Sequence, residues 1–443
     1  MSIKKKYNFL PSPFTIAVLL TIVTIIIALV FGERSNQGNH FINILTFWEN
    51  GLWNSNLLEF AIQMMLMLVL GHTLALSKPV KRFVHKIAKF CTNTETAASI
   101  VTFFSLLVSL FNWGLGLVFG AIFVRTIGEY CEKNNININY PLVGAAGYSG
   151  MMIWHCGISG SAPIKIAEKN HFLAEEMGVI SMSETIFSTM NITVILTLLV
   201  ILPIMMYRLG KTKNINKKYT QIKKVHDDKL DDKNTEGLNH SILLATFFGS
   251  LICFYAFYKG FILPESFSLQ IITPNYINII LLGLAILMHK NFYNFLQAVN
   301  NAIVGASGIL IQFPLYFGIM GIMKDTGMIQ MMSDFFVNIS DKNTFPILTF
   351  ISSGIVNIFV PSGGGQWAVQ GPIIIEAASQ LEISFPKAVM ALAYGDQITN
   401  MLQPFWALPL LGITGLKAKE IFPYCLYILV AGSVVYISAL LIF

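Results

Sequence analysis

A long uncharged tract, Asn343–Ile375, contains a stretch that an apolar helix cannot easily accommodate. The stretch is V-N-I-F-V-P-S-G-G-G-Q-W-A-V-Q-G-P, Val356–Pro372. Pro361 removes a backbone donor, and the glycines at 363–365 favour irregular backbone. In hydrocarbon an unpaired backbone amide costs several kcal/mol, so such a break survives only inside protein or beside a wet cavity. We therefore predict the tip of a re-entrant hairpin that contacts a substrate.

The composition places this stretch in a membrane protein. Of 443 residues, 54% are hydrophobic and 12% are charged, whereas soluble domains carry about 25% charged residues. No polar block is long enough for a separate domain, which argues against a soluble enzyme with an anchor. The net charge of +6 lies mostly in loops, so it bears on orientation rather than on nucleic acid binding. Five scattered cysteines without a C-x-x-C motif indicate neither a disulfide nor a metal framework.

Charged segments divide the apolar sequence into spans and set their orientation. Lys4–Lys6 precede an apolar run without a small-residue cleavage site, so we predict a retained first helix and a cytoplasmic N-terminus. A basic amphipathic helix is expected at 78–90 and an outer loop at 165–176. The hydrophilic stretch 208–237 predicts a linker, with the whole 208–240 loop cytoplasmic. The predicted spans are Pro13–Phe31, Leu57–Leu76, Ala97–Val124, Leu142–Ile158, Ser181–Tyr207, Ser241–Phe261, Tyr276–Met288, Ile303–Met323, Phe345–Gln380, Pro386–Gly412 and Ile421–Phe443.

The two halves of the chain echo each other. T-F-F-S-L-L-V-S-L-F-N ends at Asn112 and T-F-I-S-S-G-I-V-N ends at Asn357, and a proline follows each asparagine by 29 residues. The predicted span at 241–261 reverses the orientation of the second half. The prediction is an all-α polytopic membrane protein with two inverted-topology repeats, each with a re-entrant hairpin and a broken transmembrane helix. Tandem helix bundles without inversion remain an alternative.

The repeat also predicts the division of the chain. The N-terminal transmembrane repeat covers 1–207, the cytoplasmic linker and a connecting helix cover 208–262, and the C-terminal repeat covers 263–443. Whether 97–124 and 345–380 are hairpins or pairs of full spans stays open. In carriers with inverted repeats, the substrate lies near the midplane, where broken helices from both halves meet.

Two motifs carry a resemblance to a known family, P-S-G-G-G-Q-W and A-Y-G-D-Q-I-T-N-M-L-Q-P-F-W-A-L-P at Ala393–Pro409. With F-W-E-N-G-L-W-N at Phe47 and F-N-W-G-L-G-L-V at Phe111, the likeness covers essentially the whole chain. The chain resembles the bacterial short-chain fatty acid transporter family and, more distantly, the ion-transporter superfamily with inverted repeats. The resemblance implies a secondary carrier of small monocarboxylates, such as acetoacetate and butyrate, in the bacterial inner membrane.

The strongest candidate for substrate binding is the helix start at Ser362–Gln366. Exposed amides at a helix start bind anions, so a carboxylate could be held without a buried arginine. The alternative is that the glycines only permit close packing. Asn112 and Asn357, at matched positions, could donate to the carboxylate or coordinate Na⁺, or could only join neighbouring helices. The predicted substrate set is Asn112, Gly114, Gly116, Asn357, Ser362, Gly363, Gly364, Gly365, Gln366, Trp367 and Gln370.

Asp396 is the only charged residue between Lys387 and Lys417. Intramembrane acids are costly and by default functional, so Asp396 is predicted to be a Na⁺ ligand or a proton carrier. An acid at the water-facing mouth of its span is the alternative. The predicted coupling set is Asp396, Gln397, Asn400 and Gln403, which would share one helical face if the helix is intact. Na⁺ could bind at Asn112, Asn357 and Asp396.

Two histidines and three tryptophans are further candidates. His72 and His155 lie in apolar segments and could carry protons, although a structural histidine is favoured for each. His155 is also a departure from the family pattern, which is glycine-rich at 148–161, so substrate preference could differ. The tryptophans either wall the cavity or only pack; they are Trp154, Trp367 and Trp406.

These features predict alternating-access transport of short-chain carboxylates coupled to H⁺ or Na⁺. A carrier of the same architecture for dicarboxylates or amino-acid derivatives is one alternative, although a second carboxylate would need more donors. A membrane-embedded enzyme is the other, and neither H-E-x-x-H nor a Ser/His pair supports it. The sequence has no G-x-x-x-x-G-K-[ST] motif to indicate ATP. We expect no cofactor or metal other than Na⁺, no nucleic acid partner, and the bilayer and a monocarboxylate as partners; a homodimer is left open.

Overall fold

The computed structural model describes residues 12–34, 38–212, 237–264 and 269–443, and every regular element in them is a helix. This confirms the predicted all-α class. Lys4–Lys6 and most of the predicted cytoplasmic linker lie outside the described residues. The α-helices are α1 (Pro13–Phe31), α2 (His40–Leu52), α3 (Ser55–Ala75), α4 (Lys78–Ala88), α5 (Thr94–Phe111), α6 (Trp113–Lys133), α7 (Tyr140–Tyr148), α8 (Ser161–Lys165), α9 (Ala174–Met177), α10 (Thr189–Thr212), α11 (Ile242–Phe257), α12 (Pro274–His289), α13 (Phe292–Ile303), α14 (Ser307–Asp325), α15 (Met328–Ile339), α16 (Phe345–Phe359), α17 (Gly363–Gln380), α18 (Phe385–Thr399), α19 (Pro404–Thr414) and α20 (Ala418–Ile442).

Among the described residues, eight helical segments are long and apolar enough to cross a membrane. They differ in how much of their surface other helices cover. Only 17% of the apolar window of α1 is buried, against 67% in α3 and 72% in α6. Since lipid replaces protein neighbours at the periphery, α1 lies outside and α3 and α6 lie centrally. The chain is a multi-pass membrane protein, as its composition predicts.

The segments predicted outside the spans also form helices. The expected basic amphipathic helix is α4, which packs on α6, buries Val84 and Ala88, and exposes its lysines. Two further stretches between the predicted spans, 39–56 and 291–301, contain α2 and α13. These pack on α14 and α3, respectively.

In two helix pairs, the chain turns at a polar segment that was predicted to bind substrate. α5 and α6 pack on each other and are separated by Asn112, which is fully buried and extended. α16 and α17 are separated by residues 360–362. A loop between two full spans would be expected at the membrane surface, whereas Asn112 and Val360 are buried inside protein.

Two further segments are interrupted helices, as predicted. After α7 the chain forms short 3-10 turns at Ser149–Met152 and Trp154–Cys156 before α8 begins. After α18 it forms a 3-10 turn at Asn400–Leu402 before α19 begins. Glycines at 150 and 157 lower helix propensity at the first break and lie in close contact with α5, so the sequence and the packing both favour interruption there.

The interrupted segments of the two halves meet at the centre of the molecule. The turn at 149–152 contacts the turn at 400–402, and the turn at 154–156 contacts α18. α6 of the first half packs on α19 of the second, while α17 of the second half packs on α8 of the first. The breaks therefore lie where the two halves exchange contacts.

Candidate functional site

A small buried cavity lies where these breaks meet, and we call it the tip cavity. It measures about 10 Å³, roughly the room that one water molecule requires. Polar groups come from Ser161, Ser362 and the glycines at 363–364. The rest of the wall is apolar or aromatic: Met64, Trp113, Met151, Trp154, Ile309, Phe313 and Trp406.

Several helices begin at the tip cavity. Trp113 opens α6, Gly363 opens α17, and Trp406 lies in the first turn of α19. The first N–H groups of a helix lack intrahelical acceptors and carry the positive end of its dipole. Residues from the first turns of three helices of 11 residues or more thus line one cavity.

The two hairpin turns are closed by helix caps. The Asn112 side chain accepts from Leu115 N–H at 2.7 Å, and the Ser362 hydroxyl accepts from Gly365 N–H at 3.2 Å. Asn112 and Ser362 therefore have the same role, each at the start of the second helix of a pair. The matched spacing had instead equated Asn112 with Asn357, which lies inside α16.

Asn357 joins α16 to the break after α18. Its amide nitrogen lies 2.6 Å from the Asp396 carbonyl and 2.8 Å from both Thr399 Oγ1 and Asn400 Oδ1. The Gln403 amide donates to the Asn357 carbonyl. An amide nitrogen has two hydrogens for these three acceptors, and Asn357 Oδ1 has no partner among the described residues. The end of α16 is thus fixed to the interrupted helix through one oxygen-rich cluster.

The predicted single polar face from Asp396 to Gln403 is not present, because α18 ends at Thr399. Asp396 and Gln397 lie in α18 and bond to the turn at 154–156. Asn400 and Gln403 lie beyond the helix end and bond to Asn357. The four side chains are buried, but they serve two different contacts.

The other predicted substrate residues mainly hold helices together. A Cβ at Gly114 would come within 2.9 Å of Leu68, and Gly116 packs against Ser109 of α5. Gln366 donates to the Ser353 carbonyl and to Gln370, both at 2.9 Å. Of the predicted set, the members that line the tip cavity are Ser362, Gly363 and Gly364; those in helix packing include Gly114, Gly116, Gly365, Gln366, Trp367 and Gln370.

His155 and Asp396 form a buried pair that joins the two halves. His155 Nδ1 lies 2.8 Å from Asp396 Oδ2, and both side chains have no exposed surface. The His155 backbone N–H donates to Gln397 at 3.0 Å. Sequence reasoning favoured a structural role for His155 and did not pair it with Asp396, since 241 residues separate them. His72 is half-buried in α3 and is not part of this pair.

A buried lysine was also missed. The predicted outer loop at 165–176 is wrong at its first residue, because Lys165 ends α8 and its side chain is 1% exposed. Its ammonium donates to Glu168 at 2.5 Å and to Gln63 at 3.2 Å, and lies over the Phe60 ring. Glu168 in turn lines a larger cavity of about 510 Å³. The available signal was Glu168, three residues after Lys165, a spacing at which opposite charges can pair.

The fold and the site together define a class of protein, a multi-pass membrane transporter with interrupted helices. Two solved transporters share the fold. YdaH of Alcanivorax borkumensis aligns with a TM-score of 0.63 and 13% identity over 97% of this chain and 98% of its own. MtrF of Neisseria gonorrhoeae, described with a class of antimetabolite efflux pumps, aligns with a TM-score of 0.54 and 14% identity over 98% and 96%.

Sequence comparison gives the family. Residues 2–443 match the model of the short chain fatty acid transporter family. A relative in Escherichia coli K12 is 36% identical over 98% of this chain and 97% of its own length, and one in Haemophilus influenzae is 36% identical over 98% and 96%. Both relatives carry the provisional name of short-chain fatty acid transporter. The chain belongs to this family.

Proposed function

We propose that the protein is a secondary active transporter that moves short-chain monocarboxylates, such as butyrate and acetoacetate, across the bacterial cytoplasmic membrane. The observation that carries the proposal is the tip cavity, where helix starts and an aromatic wall meet at the breaks of both halves. The coupling ion is H⁺ or Na⁺, and transport proceeds by alternating access.

The polar side of the cavity suits one carboxylate. The first N–H groups of α17, with the hydroxyls of Ser161 and Ser362 beside them, can donate to its oxygens. Trp113 and Trp154 line the same cavity, and their indole N–H groups are buried without partners among the described residues. Such donors are costly to leave unpaired, so a bound anion would satisfy them.

The remaining wall suits a short alkyl chain. Trp113 lies 5.9 Å from Trp154 and 5.5 Å from Trp406 between ring centroids, and Phe313 and Met64 complete the surface. The described residues that line the cavity include no charged side chain. A dicarboxylate would bury a second charge against this apolar wall, so the lining favours a monoacid.

The size of the tip cavity supports alternating access. At about 10 Å³ it has room for little more than one water molecule, so a four-carbon acid requires the surrounding elements to separate. The elements that meet there belong to different halves and are short, interrupted pieces. We propose that α5–α6 and α16–α17 are the re-entrant hairpins of inverted repeats, and that relative movement of the halves admits the substrate.

Counterflow in proteoliposomes tests the proposal. Liposomes loaded with unlabelled butyrate are diluted into labelled butyrate at about pH 8, where the acid is almost fully ionised and passive leak is low. We expect labelled butyrate to accumulate transiently above the level in protein-free liposomes, and external acetoacetate to compete. Succinate should compete poorly. Counterflow equal to that of protein-free liposomes for every monoacid would reject the proposal, and preferred exchange of succinate would reject the substrate class.

A further inference from the structure

The hydrogen bonds of His155 fix its tautomer. Nε2 lies 3.2 Å from the Ala162 N–H, so it accepts a hydrogen bond. Nδ1 must then carry the hydrogen that is donated to Asp396 Oδ2 at 2.8 Å. The imidazole is therefore neutral in this arrangement, with both nitrogens occupied.

The carboxylate of Asp396 is satisfied on one side only. Oδ2 accepts from His155, while Oδ1 is buried and has no partner among the described residues. Oδ1 is therefore an unsatisfied polar atom in a buried position, and it is the atom of the pair that is open to a proton. A proton on Oδ1 removes the charge without breaking either bond of the imidazole, whereas a proton on His155 Nε2 would break the bond from Ala162.

The pair lies directly behind the wall of the tip cavity. The His155 ring stacks on Trp154 with centroids 4.3 Å apart and planes 15° apart, and Trp154 lines the cavity. A Cβ placed on Gly363 would meet His155 Cε1 at 3.0 Å. A negative charge on Asp396 therefore acts on the position proposed for the carboxylate, through a region of low dielectric constant.

The other titratable groups around the pair do not offset this charge. The Lys165 ammonium on α8 is held by Gln63 and Glu168. Cys156 is next to His155 in the chain and contacts the Tyr436 hydroxyl and Gln397. None of the other titratable groups on the packed helices bonds to the Asp396 carboxylate, whose side-chain partner among the described residues is His155. Tyr394 of α18 donates to Asn191. The groups concerned are Glu95 on α5, Arg125, Glu129, Tyr130, Cys131, Glu132 and Lys133 on α6, Glu376 on α17, Lys387 and Tyr394 on α18, and Lys419, Glu420, Tyr424, Cys425, Tyr427 and Tyr436 on α20.

We infer that the coupling ion is a proton, which Asp396 binds while His155 positions its carboxylate. Protonation cancels the buried charge beside the tip cavity, so the proton and the substrate carboxylate favour each other's binding. One proton and one monocarboxylate then cross as a neutral pair. This inference rests on the proposed transport function and adds the coupling ion to it.

Proton counting during substrate binding tests the inference. The purified full-length protein, in detergent and weak buffer with a pH indicator, is titrated with butyrate adjusted to the same pH. The wild-type protein should take up about one proton per butyrate at alkaline pH, and its Kd should rise about tenfold per pH unit there. Asp396→Asn, which mimics the neutral acid, should bind butyrate with no proton uptake and a Kd that does not change with pH.

Two further variants separate position from charge. Asp334→Asn makes the same change at an exposed carboxylate of α15 and should behave as wild type. His155→Gln should keep the proton count but shift the midpoint of the pH profile, whereas a merely structural histidine would lower the melting temperature without moving the midpoint. If Asp396→Asn fails to fold, the proton count of the wild type and the pH profile of His155→Gln test the inference.

Three results would overturn the inference. They are butyrate binding without proton uptake in the wild type, full proton uptake in a folded Asp396→Asn variant, and a Kd that depends on Na⁺ at constant pH. In each case butyrate still binds, so the proposed function survives. Absence of both butyrate binding and counterflow would instead reject the proposed function and the inference with it.

Discussion

The glycines that open α17 combine packing with cavity formation. A Cβ on Gly364 would meet Phe313 and Phe60 at 3.0 Å, and one on Gly363 would meet the Trp154 ring at 2.6 Å. Both residues also line the tip cavity. The same two glycines are therefore needed for close packing and would also contact a bound substrate. A substitution that tests binding needs a matched control for the effect on packing.

Gly364→Val tests the glycine by reducing the volume of the tip cavity. The added methyl groups would press on two aromatic rings, and overpacking of this kind costs about 1–3 kcal/mol. Because the same space must accept the alkyl chain, we expect butyrate counterflow to fall at least about tenfold. The measurement is counterflow at equal protein content, with size-exclusion profiles to confirm folding.

Gly412→Val is the matched control. Gly412 lies in α19, and a Cβ added there would have no neighbouring heavy atom within 4 Å, so the same substitution meets open space. It should retain counterflow. Equal losses in both variants, or full activity in Gly364→Val, would show that Gly364 is not at the site.

At the scale of elements, Asn357 fixes α16 to the interrupted helix α18–α19. Its amide nitrogen contacts three oxygens, and its carbonyl receives the Gln403 amide. The same break carries Asp396, so the position of the hairpin turn and the position of the acid are linked. Movement of one helix pair therefore changes the surroundings of the acid.

Asn357→Asp tests this link because it keeps the shape and removes the donors. The new carboxylate would face the Asp396 carbonyl and Asn400 Oδ1, and each unsatisfied buried group costs about 1–3 kcal/mol. We expect a lower melting temperature and counterflow reduced about tenfold or more. Asn137→Asp, at an exposed loop position, is the control and should match wild type in both measurements. An unchanged melting temperature for Asn357→Asp would contradict the conclusion that Asn357 fixes α16 to the interrupted helix α18–α19.

The sequence could predict most elements, since the apolar runs, their charged ends and their polar breaks are local properties. A break beside Pro361 could be predicted, but it lies at 360–362, and the glycines at 363–365, expected to be irregular, form the first turn of α17. The amphipathic helix α4 follows from its own periodicity. What could not be predicted was which distant residues meet. Asn112 corresponds to Ser362 rather than Asn357 because capping geometry, not spacing, sets the equivalence.

The partners of the buried charged residues could not be predicted from the sequence either. The sequence places Lys165 in a loop, yet its ammonium lies over the Phe60 ring and donates to Gln63 and Glu168. The pairing of His155 with Asp396 depends on two breaks in different halves coming together. No periodicity within either segment carries that information, because packing between the halves creates the contact.

At the scale of the whole molecule, one central region is shared by the two halves. The outer helices, such as α1, expose apolar side chains, while α3 and α6 are mostly enclosed. The tip cavity, the Asn357 cluster and the His155–Asp396 pair all lie at the breaks between the halves. A substrate held at the tip cavity would therefore be positioned where relative movement of the halves can expose it to either side.

The position of a bound substrate analogue tests this account most directly. 4-Bromobutyrate, once shown to compete with butyrate in counterflow, can be located in crystals by the anomalous scattering of its bromine. The account predicts a bromine peak between Trp113, Trp154 and Trp406, with the carboxylate at the start of α17. A peak confined to the larger cavity beside Glu168, or elsewhere in the molecule, would contradict it.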